Sequence, residues 1–319
     1  PSRAIWSVGG PTHFTTLAAG HNFVCGLDAQ QHAWCWGAND AGQLGNGSTT
    51  PSILPVAVSS DHAFSSISAG YNHACAVTTT GDGYCWGAND VGQLGIGSSA
   101  SSATPARVSG QYRAMSAGTS HTCAIDTTGA AYCWGTNIFG QLGDGTTVNR
   151  SVPTAVTPSQ NFAAISAGNG HTCGLVLDHF AVCWGSNASG KLGTGNTRDA
   201  HVPTVVAMPL SFSSISAASS HTCALSIDGK AYCWGSNSWG QLGVTGADAP
   251  SPVLAASGLV FRSLSAGGYD YSDESHNAGT SGHTCGVTTD GAVYCWGDNL
   301  ALQLGVPAPT HSNAPVRVL

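Results

Sequence analysis

The stretch SAGTSHTCAIDTTGAAYCWGTNIFGQLGDG, from Ser116 to Gly145, returns a hundred residues later as SAASSHTCALSIDGKAYCWGSNSWGQLGVTG, from Ser216 to Gly246. Working outward from these words, cysteine pairs fall at 25/35, 75/85, 123/133, 173/183, 223/233 and 285/295, each with nine residues between its members. The pairs recur every 48 to 50 residues until the last interval, Cys223 to Cys285, which is 62. Six copies of one unit of about 50 residues therefore fill the 319 residues, and residues 1–319 read as a single domain with no room for a second.

Within a unit the apolar spacing has period two and the turns are glycine-rich, so the elements are short strands and helix should be nearly absent. In the second copy the strands fall at Pro55 to Val58, Phe64 to Ala69, His73 to Thr78 and Gly83 to Gly87. Four strands per repeat, repeated radially, make an all-β propeller of four-stranded blades. His121, Cys123 and Ile125 share one face of their strand, while Tyr132 and Trp134 lie opposite Cys133, so a blade can be apolar on both faces. The chain starts on a Phe14 to Ala19 strand and finishes on Pro315 to Val318, which suggests that the two terminal strands pair to complete one blade and close a ring of six. Seven blades are the alternative, for which Ala4 to Val8 offers only one further strand.

The words SAGxxHTCAL, YCWGxN and GQLGxG resemble the repeats of the regulator of chromosome condensation family, and the resemblance covers almost the whole chain. It implies a β-propeller, usually of seven blades, and a rigid scaffold whose loops bind another macromolecule. Members include a nuclear guanine-nucleotide exchange factor, a plant ultraviolet-B photoreceptor and a bacterial secreted β-lactamase inhibitor. A basic chromatin-binding tail is missing here, and the repeated tryptophans read as internal, so the inhibitor is the nearest analogue.

Twelve cysteines, Cys25, Cys35, Cys75, Cys85, Cys123, Cys133, Cys173, Cys183, Cys223, Cys233, Cys285 and Cys295, are evenly paired across predicted hairpins. Zinc sites use short Cys-x-x-Cys knuckles, which are absent, so cross-strand disulfides are expected. Oxidised pairs place the protein outside the cytosol, in a secreted, periplasmic or cell-surface setting. Sequons begin at Asn46, Asn149 and Asn187.

His73, His121, His171, His221 and His283 stand two residues before a cysteine, with Phe23 in their place in the first unit. They read as blade residues bonded to neighbouring backbone rather than as metal ligands, since the phenylalanine breaks any sixfold ring. Trp36, Trp86, Trp134, Trp184, Trp234 and Trp296 read as packing between blades, which leaves Trp6, Trp34 and Trp239 for exposed contacts. Asn39, Asn89, Asn137, Asn187, Asn237 and Asn299, each followed by (Gln/Lys)-Leu-Gly, read as loop structure.

The repeat breaks once. Five units carry two residues between the first strand and the histidine position, and the sixth carries fifteen, GYDYSDESHNAGTSG from Gly268 to Gly282. Tyr269, Asp270, Tyr271, Asp273, Glu274 and His276 concentrate aromatic and charged groups there, and they form the candidate partner- or ligand-binding site. Their spacing matches no calcium loop.

Charged residues are only 8% of the chain, with two lysines, seven scattered arginines and a net charge of -7, so a phosphate-neutralising nucleic-acid groove is excluded. No apolar run reaches a membrane-spanning length. No catalytic motif is present, and neither a cofactor nor a metal is expected. The expected function is a non-catalytic extracellular scaffold that binds a protein partner or builds into a surface assembly. A carbohydrate-binding propeller is the alternative, and a hydrolase or lyase using acids near the insertion is a third reading.

Overall fold

The computed structural model describes residues 11, 13–272, 278–307 and 309–318, with the backbone alone for residues 269–272 and 278–280. The chain divides into two compact units, one of residues 1–128, 132–136 and 149–154, the other of residues 129–131, 137–148 and 155–319.

The first unit holds β1 (Phe14–Ala19), β2 (Phe23–Asp28), β3 (Ala33–Gly37), β4 (Ser52–Ala57), β5 (Phe64–Ala69), β6 (His73–Thr78), β7 (Asp82–Gly87), β8 (Ser102–Ala117), β9 (His121–Asp126), β10 (Ala131–Gly135) and β11 (Arg150–Ala155). Strands β1 to β4 form one antiparallel sheet in chain order, and β5 to β11 form a seven-stranded one. The long strand β8 accounts for the second. Its first half pairs with β7, through Cys85↔Ala106 and Gly83↔Val108, and its second half pairs with β9, through Ser116↔Cys123. Three residues separate Val108 from Tyr112 where five separate Val58 from Phe64, so the link is too short to break the strand.

The second unit holds β12 (Phe162–Ala167), β13 (His171–Val176), β14 (Ala181–Gly185), β15 (Ala200–Val205), β16 (Phe212–Ala217), β17 (His221–Ser226), β18 (Ala231–Gly235), β19 (Ala249–Leu254), β20 (Phe261–Ser272), β21 (Ala278–Thr288), β22 (Val293–Asp298) and β23 (His311–Arg317). These form three four-stranded antiparallel sheets in chain order. Helix among the described residues is one 3-10 turn at Ala188–Gly190.

The grouping of strands differs from expectation. The Pro55 strand was expected to lead the sheet of Phe64 to Gly87, yet β4 closes the preceding sheet, through Trp34↔Ala57 and Cys35↔Val56. The reason lies in the loop from β3 to β4. Asn39 accepts from Leu44 N–H at 2.9 Å and donates to Ser48 O and Thr50 O, both at 2.9 Å, which folds the chain back along β3. The terminal strands are accordingly edge strands of different sheets, β1 beside β2 and β23 beside β22, so the expected closing pair is not among the described ladders. Outer strands carry Pro55, Pro153, Pro203, Pro252 and Pro315, which remove backbone donors from edges open to further pairing.

All six cysteine pairs are disulfides between directly opposed residues, with Cα–Cα distances of 4.1 Å. That separation is the close one of a non-hydrogen-bonded antiparallel pair. Trp86, Trp134, Trp184, Trp234 and Trp296 are fully buried; Trp86, Trp234 and Trp296 pack against the sheet before their own, and Trp134 packs against the first half of the seven-stranded sheet. Trp86, for example, joins Phe23, Cys25, Cys35 and Leu44 of the first sheet. The glycine of the (Gln/Lys)-Leu-Gly word receives the next indole in the first five repeats. At Gly95, with φ +72°, a Cβ would lie 2.6 Å from Trp134 Nε1.

Candidate interaction face

Ordinary repeats turn from their first strand to their second within a few residues, as at Gly168 to Gly170. In the last sheet the ladder instead continues upward through Gly267↔His283, Tyr269↔Ser281, Asp270↔Thr280, Tyr271↔Gly279 and Ser272↔Ala278. The insertion is therefore a β-hairpin that prolongs β20 and β21 past the level of the other turns. Tyr269, Asp270 and Tyr271 belong to its first strand, while Asp273, Glu274 and His276 lie outside the described residues. The alternating Tyr-Asp-Tyr and the Thr280 opposite were legible strand signals that a reading of the segment as a loop overlooked.

The hairpin has an anchor that sequence reasoning missed. Asp298 occupies the position held by Ala38, Ala88, Thr136, Ser186 and Ser236 in other repeats, and it is fully buried. Its carboxylate accepts from Ser281 Oγ in the hairpin base, from Gln303 Nε2 at 2.8 Å and from Leu300 N–H at 2.9 Å. A buried carboxylate is tolerated only with such donors. Burial lowers the His283 imidazole below its ordinary value, opposed by the Asp298 charge. The only sequence signal was the acid in Cys-Trp-Gly-Asp-Asn.

The loops after β10, β18 and β22 end on the same side of the second unit as the hairpin, and they expose Ile138, Phe139, Leu300 and Leu302. Trp239 is half-buried there, its ring 6.3 Å from His311. The opposite side also exposes apolar groups, Leu177 and Ile227 among them, so apolar exposure alone does not select a face. Trp34 proves structural, since its indole N–H donates to Asp28 Oδ2 at 2.9 Å. Trp6 lies outside the described residues. Asn187 is buried and bonds Leu192 N–H, Asn196 O and Arg198 O, so its sequon is closed in the folded chain.

Three of the repeated histidines bond a threonine of the next repeat, and His171 also makes the expected backbone contact, with Nδ1 3.5 Å from Asn169 O. His73 Nε2 lies 2.9 Å from Thr122 Oγ1 in the other half of the seven-stranded sheet, and on the following sheet His171 Nε2 lies 2.9 Å from Thr222 Oγ1 and His221 Nε2 2.9 Å from Thr284 Oγ1. Each threonine donates its only proton to a backbone carbonyl, Thr122 to Gln93 O at 2.8 Å and Thr284 to Gln241 O at 3.0 Å. Imidazole Nε2 must then carry a proton and donate. Nδ1 of His73 and of His221 is buried without a partner, so a second proton there would be both desolvated and unbonded. Burial lowers His73 to about 4, and burial with the neighbouring His283 lowers His221 to about 3. His73 and His221 are neutral ties between neighbouring repeats.

Six cross-strand disulfides, repeated four-stranded sheets and one projecting hairpin define a repeat β-propeller protein. The RCC1-like domain profile matches residues 6–272 and the regulator of chromosome condensation (RCC1) repeat matches residues 275–301, so the chain belongs to the RCC1-like family. Yeast RCC1 (Prp20), solved bound to Kap60, superposes with a TM-score of 0.82 at 22% identity, over 95% of this chain and 74% of that one. Human WBSCR16 gives 0.82 at 19% identity, over 96% and 82%. The ectodomain of the Physcomitrella patens receptor kinase CR4 gives 0.58 at 24% identity, over 88% and 62%. At such identities the likeness is one of fold. No curated protein sequence matches the chain.

Proposed function

We propose that this chain is a six-bladed, non-catalytic extracellular propeller that binds a protein partner through the end bearing the β20–β21 hairpin. The observation that carries the reading is the hairpin itself. It is the largest departure from the repeat length, it continues a regular ladder, and it is tied at its base to Asp298, an acid at a position where the other repeats carry Ala, Ser or Thr. Counting β8 once for each half of the seven-stranded sheet supports a reading of six blades. A relative in fold is a binding protein, since yeast Prp20p has been studied for its binding to Gsp1p and histones. Six disulfides support an oxidising compartment, and the weak surface charge favours close association over repulsion.

The test is capture from the native extracellular fraction, comparing the intact chain with one whose residues 268–282 are replaced by a two-residue link. A partner retained by the intact chain alone is expected. Equal capture by both would move the site off the hairpin, and no protein captured by either would overturn the scaffold reading.

A further inference from the structure

Two residues before the glutamine of each Gln-Leu-Gly word, successive repeats carry Ala41, Val91, Phe139, Ser189, Trp239 and Ala301. In five of the six the glutamine Oε1 accepts the backbone N–H of that residue, at 2.8 to 3.0 Å, and so fixes where its side chain stands. The fourth repeat has Lys191 in place of the glutamine, and a lysine has no acceptor to offer. Ser189 there adopts φ +57°, a left-handed conformation that a serine rarely takes, and its loop winds into the 3-10 turn Ala188–Gly190. A small residue on a differently wound loop thus stands in the series between two aromatic ones, Phe139 and Trp239.

The space left at Ser189 is a cavity of about 230 Å³ whose lining includes Phe139, Ser186, Ala188, Lys191 and Ser220. Its walls differ in depth. Ser186 and Ser220 are buried, whereas Phe139 and Ala188 are exposed, so hydroxyls lie at the inner end and an aromatic ring at the mouth. That ring is set in advance. The Phe139 N–H donates to Gln141 Oε1 at 2.9 Å, and a Cβ on Gly170, at φ +68°, would lie 3.1 Å from Phe139 Cδ2, so the ring rests against a turn that only glycine leaves open. Ser220 Oγ accepts from Gln241 Nε2 at 3.4 Å and keeps its own proton to donate. Lys191 Nζ is held by backbone carbonyls of Asn169 and Ser219, at 2.7 and 3.2 Å, and closes a wall. The cavity is smaller than the roughly 300–1,000 Å³ of ordinary small-molecule sites, so it suits one side chain. An aromatic mouth over a hydroxyl-lined end matches a ring with a polar tip, which is tyrosine, and buried aromatic anchors carry much of the energy of protein interfaces.

We infer that the cavity beside Ser189 is a subsite for one tyrosine side chain of a protein partner, its ring on Phe139 and its hydroxyl towards Ser186 and Ser220. The inference rests on the protein-binding reading and names the chemistry of the partner, but its test does not need the partner. With phenylalanine rings labelled in ¹³C the protein gives eight ring signals. Phe139 is assigned by its loss in Phe139→Leu, and Phe180, 42% exposed in the turn from β13 to β14, is the internal reference. Titration with N-acetyltyrosinamide should shift Phe139 saturably and leave Phe180 unmoved. N-acetylphenylalaninamide should bind about fivefold more weakly for want of one hydrogen bond, while N-acetylleucinamide and methyl glucoside should leave both rings unmoved. The double variant Ser189→Phe with Lys191→Gln copies the Phe139 to Gln141 loop, so it should fold, and it should abolish the shift by filling the cavity. Phe139→Leu keeps an apolar wall without a ring, and calorimetry should show tyrosine affinity falling about threefold. Equal drift of Phe139 and Phe180, a phenylalanine or leucine probe as tight as tyrosine, saturation by methyl glucoside, or unchanged tyrosine affinity in both variants would overturn the inference. Failure to capture a protein with the intact chain, with the tyrosine probe still bound, would instead count against the scaffold reading alone.

Discussion

Acid should weaken this fold well above the range in which carboxylates titrate, and the His–Thr ties set the size of the effect. His73 and His221 are lowered to about 4 and about 3 in the folded chain from the ordinary 6.5. As pH falls below 6.5 the unfolded chain takes up protons that the folded chain refuses, so stability is full above 6.5 and declines towards the folded values. Each unit below 6.5 costs about 1.4 kcal/mol per histidine, so at pH 5 each costs about 2 kcal/mol and the pair about 4. The folded carboxylates that shift, Asp28, Asp82, Asp228 and Asp290, are lowered from 3.8 and add their losses only in stronger acid. The first repeat supplies the perturbation. There Phe23 takes the histidine position, Ala74 takes the threonine position on the next sheet, and Gln43 O keeps its bond from Trp86 Nε1 at 3.0 Å. The double variant His73→Phe with Thr122→Ala copies that pair, and Gln93 O keeps Trp134 Nε1 at 2.9 Å. Urea unfolding followed by tryptophan fluorescence at pH 7 and pH 5 should show the double variant within about 1 kcal/mol of the parent at pH 7, with an acid loss smaller by about 2 kcal/mol. Thr122→Ala alone should lose about 1–3 kcal/mol at pH 7, because it strands the imidazole N–H. An acid loss identical in parent and double variant would refute the assignment of the proton to His73.

Asn89→Ala removes the acceptor of Leu94 N–H and the donor to Ser98 O and Ala100 O, so it should cost about 3 kcal/mol or more by urea unfolding; a loss under 1 would show that water replaces the side chain. Replacing Cys75 and Cys85 together by alanine reopens an eleven-residue ring and should cost at most about 3 kcal/mol by thermal unfolding, with the other five bridges intact by mass. Gly95→Ala places a Cβ 2.6 Å from Trp134 Nε1 at φ +72°, whereas Gly97→Ala, at φ +78° with its nearest neighbour 3.8 Å away, meets only the backbone penalty of about 1–2 kcal/mol. Equal losses at the two glycines would refute the packing role of Gly95. Asp298→Ala should speed amide exchange in residues 278–283 while leaving β5 to β7 protected, and uniform acceleration would show that Asp298 serves the whole sheet.

The strands themselves were legible because side-chain alternation and cysteine spacing are local: Phe64 to Ala69 and His73 to Thr78 are β5 and β6 to the residue. The grouping of those strands was not legible. A string of four repeating strands reads equally well from any starting strand, and the choice is made by the Asn39-type loop, whose bonds span nine and eleven residues. From the same wrong phase came the expected pairing of Phe14 to Ala19 with Pro315 to Val318. At the candidate site the insertion was visible as a length change, but its anchor was a single acid, Asp298, that carried meaning only once Ser281 and Gln303 were seen to converge on it.

Departures from a repeat are of two kinds, and the difference is physical. Phe23 is compensated, because the partner position carries Ala74 and every polar group of the lost His–Thr tie disappears together, so the exchange leaves no unmet donor and calls for no function. Lys191 instead leaves two local irregularities beside it. Its neighbours keep the hardware of the glutamine loop, with Asn187 still bonding Leu192 N–H at 2.9 Å, yet Ser189 is forced to φ +57° and Trp234 Nε1 is left unbonded. Asp298 stands between the two, a buried charge whose donors come partly from the insertion it secures, so acid and insertion are explained only as a pair. Where a repeat protein bears a local cost that an equivalent repeat avoids, the cost marks a position held for something other than folding.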